Sequence, residues 1–217
     1  MKIAIMQPYF LPYLGYFQLI DAVDKFIFLD NVSFIKKGWI NRNQLKNKFK
    51  FTIPIEKQSQ NKLIKDTKIK WDDKLILKFR KNINRLYYNS PNFRLINNIL
   101  DDIMCHRYES ISDLAIRSIE CFSDYLNIKT EFKISSNENY FKGKNSTDTL
   151  INICKKEGAD IYINPPGGEK LYSKKYFFRE KIKLCFINTT ESNSIIDLCF
   201  ELNTDVIKQK IDGYKIG

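Results

Sequence analysis

The first 29 residues constrain the fold more than any other stretch. A short apolar run, Ile3-Ala4-Ile5-Met6, is followed by a loop from Gln7 to Gly15, an amphipathic run from Tyr16 to Val23, and a second apolar run, Lys25-Phe26-Ile27-Phe28-Leu29. That succession of periods reads as strand, loop, helix, strand. Two strands joined through a helix lie parallel, with a right-handed crossover. Pro8 and Pro12 fix the backbone on both sides of Tyr9, and Gly15 lets the chain turn or approach a neighbour closely. A stiff, ring-rich loop at the carboxyl end of a first parallel strand is where open α/β sheets place their ligands. The residues alone equally allow a Pro-rich lead into a helix whose rings merely pack.

Further along, the second strand delivers Asp30 to its own carboxyl end, where an acid can cap a turn or meet a sugar hydroxyl, an amine or a cation. Ile35 to Asn43 is too polar for a core element, yet holds Trp39 among Lys36, Lys37, Asn41, Arg42 and Asn43. Trp39 offers a stacking face, Arg42 a bidentate grip on phosphate, and Asn41 amide partners for hydroxyls. The bland alternative is a basic turn around a half-buried tryptophan. Phe49 to Ile55 alternates like an edge strand that Pro54 ends, and Ile64 to Lys70 alternates again. Helices are expected from Trp71 on, with Leu75, Leu77, Phe79, Ile83 and Leu86 apolar, then over Pro91 to Met104 and Ile111 to Leu126. His106 stands in the connection between the last two.

Strand and helix then alternate: Glu131 to Ile134, a helix capped at Lys144 to Thr147 and ended by Gly158, and a buried strand Asp160 to Ile163. That strand delivers Asn164-Pro165-Pro166-Gly167-Gly168 with Lys170, a glycine pair whose backbone N–H groups can meet an anion. The spacing is not that of a P-loop. Leu184 to Ile187 is a further strand, Ile195 to Phe200 an apolar turn or helix, and Asp205 to Ile211 a closing amphipathic helix. The expected class is therefore α/β: an open, mainly parallel, Rossmann-like sheet with a helical insertion in the middle of the chain, both candidate loops on one edge.

At 217 residues, with no linker-like stretch, a single domain over 1–217 is expected. No apolar segment is long enough to span a bilayer and no signal peptide is evident, so a cytoplasmic location is expected. Five scattered cysteines and one histidine suit reduced core thiols, and no metal site is expected. The net charge of +11 is local: Ser33 to Tyr88 carries 16 Lys or Arg against 4 Asp or Glu, and the rest of the chain 20 against 21. Such a field favours a polyanionic partner, unless the lysines are merely solvated.

Gln7 to Gln18, Phe28 to Val32, Ile35 to Asn43, Asn164 to Gly168 with Leu171-Tyr172, and Ser194 to Leu198 together resemble the WbqC-like family, over nearly the whole chain. The resemblance implies an enzyme of O-antigen (lipopolysaccharide) and other surface-polysaccharide biosynthesis that acylates or aminoacylates, for instance glycylates, the amine of a nucleotide-linked sugar. For such a reaction the residues themselves offer Gln7, Asp30 and Tyr16 as the catalytic candidates, Asp30 to orient or deprotonate the amine and Gln7 with the Pro165 to Gly168 backbone to meet the developing oxyanion. Tyr9, Tyr13, Gly15, Lys37, Trp39, Asn41, Arg42, Asn164, Gly167, Gly168, Lys170 and Tyr172 are the substrate-binding candidates. The donor stays open among an ATP-activated amino acid, an acyl-CoA and an aminoacyl-tRNA, as does the oligomeric state. Tyr13-Leu14-Gly15-Tyr16 lies where nucleotidylyltransferases carry H-x-G-H, so a nucleotidylyltransferase-like or adenylate-forming variant of the fold is a second reading, although tyrosine lacks a near-neutral imidazole. A basic RNA- or tRNA-binding module is the third.

Overall fold

A computed structural model of the chain describes residues 1–56, 62–189 and 193–217. Strand β1 (Lys2–Met6), helix α1 (Leu14–Asp21) and strand β2 (Lys25–Phe28) form the expected parallel pair, Ile3 opposite Lys25 and Met6 opposite Phe28. Strands β3 (Arg42–Leu45) and β4 (Phe49–Thr52) then make a separate antiparallel ribbon. The insertion follows as helices α2 (Asp73–Tyr87), α3 (Phe93–Cys105) and α4 (Ile111–Tyr125). The second half runs β5 (Glu131–Ile134), α5 (Ser146–Lys156), β6 (Ile161–Asn164), α6 (Lys174–Arg179), β7 (Lys183–Asn188), α7 (Ile195–Glu201), α8 (Thr204–Ile211) and β8 (Lys215–Ile216). The main sheet has the order β5-β2-β1-β6-β7-β8, parallel throughout except for β8, which pairs antiparallel with β7.

Strand alternation divides the core in two. Ala4, Phe26, Phe28, Ile163, Cys185 and Ile187 face one side, where α1, α3, α4, α7 and α8 cover them. Ile3, Ile5, Ile27, Tyr162, Leu184 and Phe186 face the other, under α5 and α6. A sheet buried on both faces explains why its strands read as continuous apolar runs. Across the second face Glu157, at the end of α5, ties two strands to the helix layer, ion-paired with Lys25 at 2.7 Å and Lys133 at 3.1 Å and accepting from Tyr140 Oη at 2.7 Å. Burial by itself would raise this carboxyl, but the hydrogen bonds from Lys25, Tyr140 and Lys133 outweigh it and hold it near a pKa of about 2.

Helix ends follow local chemistry. Asp72, Ser110, Asn145 and Asn203 each cap a helix through a side-chain oxygen, Ser110 in a reciprocal box with Asp113. Gly158, at φ +67°, leaves α5 in the left-handed region as a helix-stopping glycine does. Three local expectations are corrected. On α2 the buried row is Leu75, Phe79, Ile83 and Tyr87, whereas Leu77 lies two residues, about 200° of helix, from Leu75 and is solvent-exposed. Ile64 to Lys70 is no strand; it is a turn-containing segment held by isolated bridges of Ile69 to Ile55 and Lys68 to Ser110. Of the five cysteines, Cys154, Cys185 and Cys199 are buried, Cys121 is half-buried and Cys105 is exposed.

Candidate functional site

The topology brings the two candidate loops together. β1 and β6 are neighbours, yet β1 continues into α1 on one face of the sheet and β6 continues toward α6 on the other. The crevice outside the carboxyl ends at such a switch point is where open α/β sheets bind ligands. Here it is a cleft of about 540 Å³. Met6, Tyr9, Pro12 and Tyr13 line it from β1 and its loop; Pro165, Pro166 and Gly167 line it from the loop after β6. The ribbon supplies the remaining wall, Arg42, Asn43 and Gln44, with Trp39 just before it.

The loop after β1 is pinned from three directions. Phe10 N donates to Ile40 O at 3.0 Å; Leu14 N donates to Asn193 O at 2.9 Å, and Pro12 O accepts from Ile195 N at 3.0 Å. Leu11 N donates to Ser118 Oγ on α4 at 3.1 Å, while Asn43 Nδ2 donates to both Leu11 O at 2.6 Å and Ser194 Oγ at 2.7 Å. Leu11 needs these ties, because it is a buried non-glycine residue at φ +50°, a conformation that costs about 1–2 kcal/mol. Strain of this kind persists only where surrounding contacts over-determine it. Below the loop, Tyr9 rests on Tyr16 with ring centroids 5.6 Å apart, and Tyr16 rests on Phe26 at 5.4 Å.

Electrostatically the cleft is simple. Burial raises the Tyr9 hydroxyl to a pKa of about 12, helped by Tyr13, and burial raises Tyr13 as well. Both phenols are neutral donors at physiological pH. Among the described residues lining the cleft none offers a carboxylate, imidazole or thiol. The one formal charge is Arg42: its Nε is buried without a hydrogen-bond partner, and no described carboxylate lies within 4 Å of the guanidinium. A buried donor left unpaired is expensive, and an anionic ligand group is the natural partner for this one. Trp39, 51% exposed, stands beside it as an open aromatic face.

Of the residues named from the sequence, Tyr9, Tyr13, Trp39, Arg42 and Gly167 meet in this cleft. The others are placed elsewhere. The Asp30 carboxylate is buried and accepts from Ser135 Oγ (2.8 Å), Ser136 N (2.9 Å) and Ser136 Oγ (2.6 Å), which fastens the turn after β5 to the end of β2. Tyr16 is fully buried and spends its hydroxyl on Gln7 O at 2.8 Å, while Gln7 is half-buried at the loop's start. Asn41 Nδ2 donates to Ile53 O and closes the ribbon. Gly15 lies in α1 where a β-carbon would come within 2.6 Å of Tyr13 and 2.9 Å of Thr189, so close packing explains the glycine. A β-carbon at Gly168 would clash with Asn164 Oδ1, and Gly168 N already donates to Pro165 O at 2.9 Å, so of the glycine pair only Gly167 reaches the cleft. Asn164 Nδ2 donates to Tyr162 Oη at 2.5 Å. Lys37, at φ +61°, and Lys170 are exposed outside the cleft, and Tyr172 lines a separate cavity of about 310 Å³ beside Ser146 and Leu29. Gln44 and Pro12 carried no signal as site residues, and Asn43 was legible only as one amide among several.

A cluster away from the cleft bears on metals. Asp102, Cys105 and His106 present ligand atoms within 4.8 Å of one another on the surface. Their groups are engaged locally: Arg117 pairs with the Asp102 carboxylate at 3.1 Å, and Cys105 Sγ donates to Asp102 O at 3.0 Å. No helix among the described residues is long and apolar enough to cross a membrane.

Fold and cleft together define an open, mostly parallel α/β protein whose candidate site lies at the switch point of its sheet. The chain belongs to the WbqC-like protein family, which it matches over residues 7–207. It is also 26% identical over 192 residues to the uncharacterized protein Rv1507c of Mycobacterium tuberculosis, a match covering 86% of this chain and 82% of that protein. No solved structure matches it.

Proposed function

We propose that the chain is a transferase that binds a nucleotide-linked amino sugar in the switch-point cleft and acylates or aminoacylates its amine, as a step in surface-polysaccharide biosynthesis. The observation that carries the reading is Arg42, a guanidinium with a buried Nε that has no partner among the described residues, set among the aromatic faces of Trp39, Tyr9 and Tyr13 in a cleft whose described lining holds no carboxylate. Arg42 suits the diphosphate, Trp39 stacks on base or sugar, and the neutral phenols donate to hydroxyls. Family membership is consistent with an enzyme and leaves the reaction open.

The chemistry asks for positioning more than for a strong base. A sugar amine that is partly unprotonated near neutrality attacks the carbonyl of an activated donor; the C–N bond forms, the donor's C–O or C–S bond breaks, and the proton shed by nitrogen leaves with the departing group or to water. Tyr9 and Tyr13 can donate hydrogen bonds to the oxygen that gains charge. Asp30 and Tyr16 then act by holding the cleft's walls, since their polar atoms are spent inside the protein. The adenylate-forming alternative draws no support from Tyr13 to Tyr16, because Gly15 and Tyr16 are buried under the loop.

The test is a product assay. Nucleotide-linked amino sugars are incubated with acyl-CoA, aminoacyl-tRNA, or amino acid plus ATP, and scored by mass for the amide. An amide formed by the parent chain and lost in Arg42→Ala supports the proposal; no amide with any donor–acceptor pair overturns it.

A further inference from the structure

A second concavity lies across the ribbon from the cleft. Lys50 of β4 and Lys78, Lys81 and Arg85 of α2 line a groove of about 490 Å³ whose described lining includes no acidic residue. The helical cations sit at spacings of three and four and so share one face, and Lys74, one turn earlier, extends the row. From Lys74 to Arg85 the row runs about 16 Å. None of these five cations has a described carboxylate within 4 Å, whereas Lys46 and Arg80 nearby are paired with Glu201 and Asp101. Arg85 lies over the Phe49 ring at 4.7 Å, and Asn82 Nδ2 is buried in the same groove without a partner. Lys57, which adds to the basic segment, lies outside the described residues.

The ribbon makes this groove a neighbour of the cleft. Gln44 faces Lys50 and Arg42 faces Thr52 across the β3–β4 pair. Arg42 and Gln44 line the cleft, while Lys50 and Thr52 line the groove. The two sites therefore share the ribbon as a wall, their lining backbones one strand spacing, roughly 5 Å, apart.

We propose that the groove binds the phosphodiester backbone of RNA and docks an RNA that carries the activated acyl group beside the cleft, an inference that rests on the aminoacyl branch of the function proposed above. Four exposed cations spaced along about 16 Å of one helix, with Lys50 lining the same groove from the ribbon, suit a linear chain of phosphates seated in the concavity. In the transfer the sugar amine attacks the ester carbonyl at the RNA terminus. The C–N bond forms, the C–O bond to the terminal ribose breaks, and the ribose hydroxyl leaves with the proton that nitrogen gives up. Neither an oxidant nor a further reactant is consumed.

Fluorescence anisotropy with labelled, unacylated bulk tRNA tests this on the full chain over a range of salt. The groove variant Lys78→Ala/Lys81→Ala/Arg85→Ala is compared with Lys129→Ala/Lys183→Ala/Lys215→Ala, an equal charge change at exposed sites elsewhere. The groove variant is expected to bind at least tenfold more weakly at low salt, with a log–log salt slope smaller by about 2, since each phosphate contact on a single strand contributes about 0.7. If it does not fold, Lys78→Glu/Lys81→Glu leaves Arg85 on Phe49 and gives the same reading. Equal losses in both triple variants, no tRNA binding by the parent chain, or tighter capture of phosphatidylglycerol vesicles than of tRNA would each overturn the proposal. Groove-specific tRNA binding in a chain that binds no nucleotide-sugar would retain the groove and discard the sugar-acylating reading.

Discussion

Asn43 is the residue through which the ribbon holds the strained loop, and Asn43→Ala is the perturbation that exposes this. The substitution removes both hydrogen bonds of Nδ2, leaving Leu11 O with only a long contact, 3.4 Å, from Ser194 Oγ. A buried carbonyl that loses its donor costs about 1–3 kcal/mol. Part is offset: once unpinned, Leu11 can leave its left-handed conformation and release up to about 1–2 kcal/mol of strain. The net loss then runs from near zero, if the loop relaxes fully, to about 3 kcal/mol if it does not, which for a chain of this size is up to about 6–12 °C in Tm. The offset has a structural consequence, because the released strain moves the loop that carries Tyr9, Pro12 and Tyr13. Ligand affinity should therefore fall by more than the stability loss alone suggests, and amide exchange should quicken at Phe10 and Leu14, whose N–H groups bond Ile40 and Asn193. Calorimetric melting and hydrogen exchange read both quantities. A Tm within 1 °C of the parent, together with unchanged exchange at those two amides, would refute the pinned-loop account.

Other consequences follow from the same geometry. Asp30→Ala takes the acceptor from three donors of Ser135 and Ser136, but Ser135 Oγ keeps Asn31 Oδ1 at 3.0 Å and the exposed Ser136 can turn to water, so the loss is about 1.5–3 kcal/mol, or about 3–12 °C in Tm, while nucleotide-sugar affinity of the folded variant stays within twofold; loss of affinity without loss of stability would return Asp30 to the site. Glu157 has its folded pKa depressed to about 2, so its contribution is complete above the ordinary glutamate range and is lost as pH falls from about 4.5 toward 2. Denaturant melts across that window should show the decline, and Glu157→Gln should flatten it. Because Tyr9 titrates near 12 and the described lining of the cleft holds no carboxylate or imidazole, the protein's side of ligand binding should be level between pH 6 and 9, as titration of a ligand without ionisations in that range would reveal.

Much of the architecture was legible because burial on both faces of a parallel sheet leaves unbroken apolar runs, and prolyl or glycyl loops punctuate them. The loops after Met6 and Asn164 could be named as site loops on those grounds. Their adjacency could not, since the chain order of strands carries no record that β1 and β6 pair. Trp39 and Arg42 advertised themselves as aromatic and cation in a polar stretch, and they reach the cleft through the ribbon pairing of residues 42–45 with 49–52. Asp30 misleads for a physical reason: an acid after a strand looks the same whether it faces a ligand or the hydroxyls of a turn a hundred residues away. Leu11 gave no sign of a positive φ, because leucine disfavours it and tertiary contacts impose it. β8, two exposed residues long, has no periodicity to read.

Isothermal titration of nucleotide-linked amino sugars into the parent chain and into Arg42→Ala tests the central claim most directly. Saturable binding in the parent, weakened at least tenfold in Arg42→Ala at unchanged Tm, is the predicted result. Binding that is equal in the two chains, or absent from the parent across the panel, would contradict a cleft built around the unpaired guanidinium.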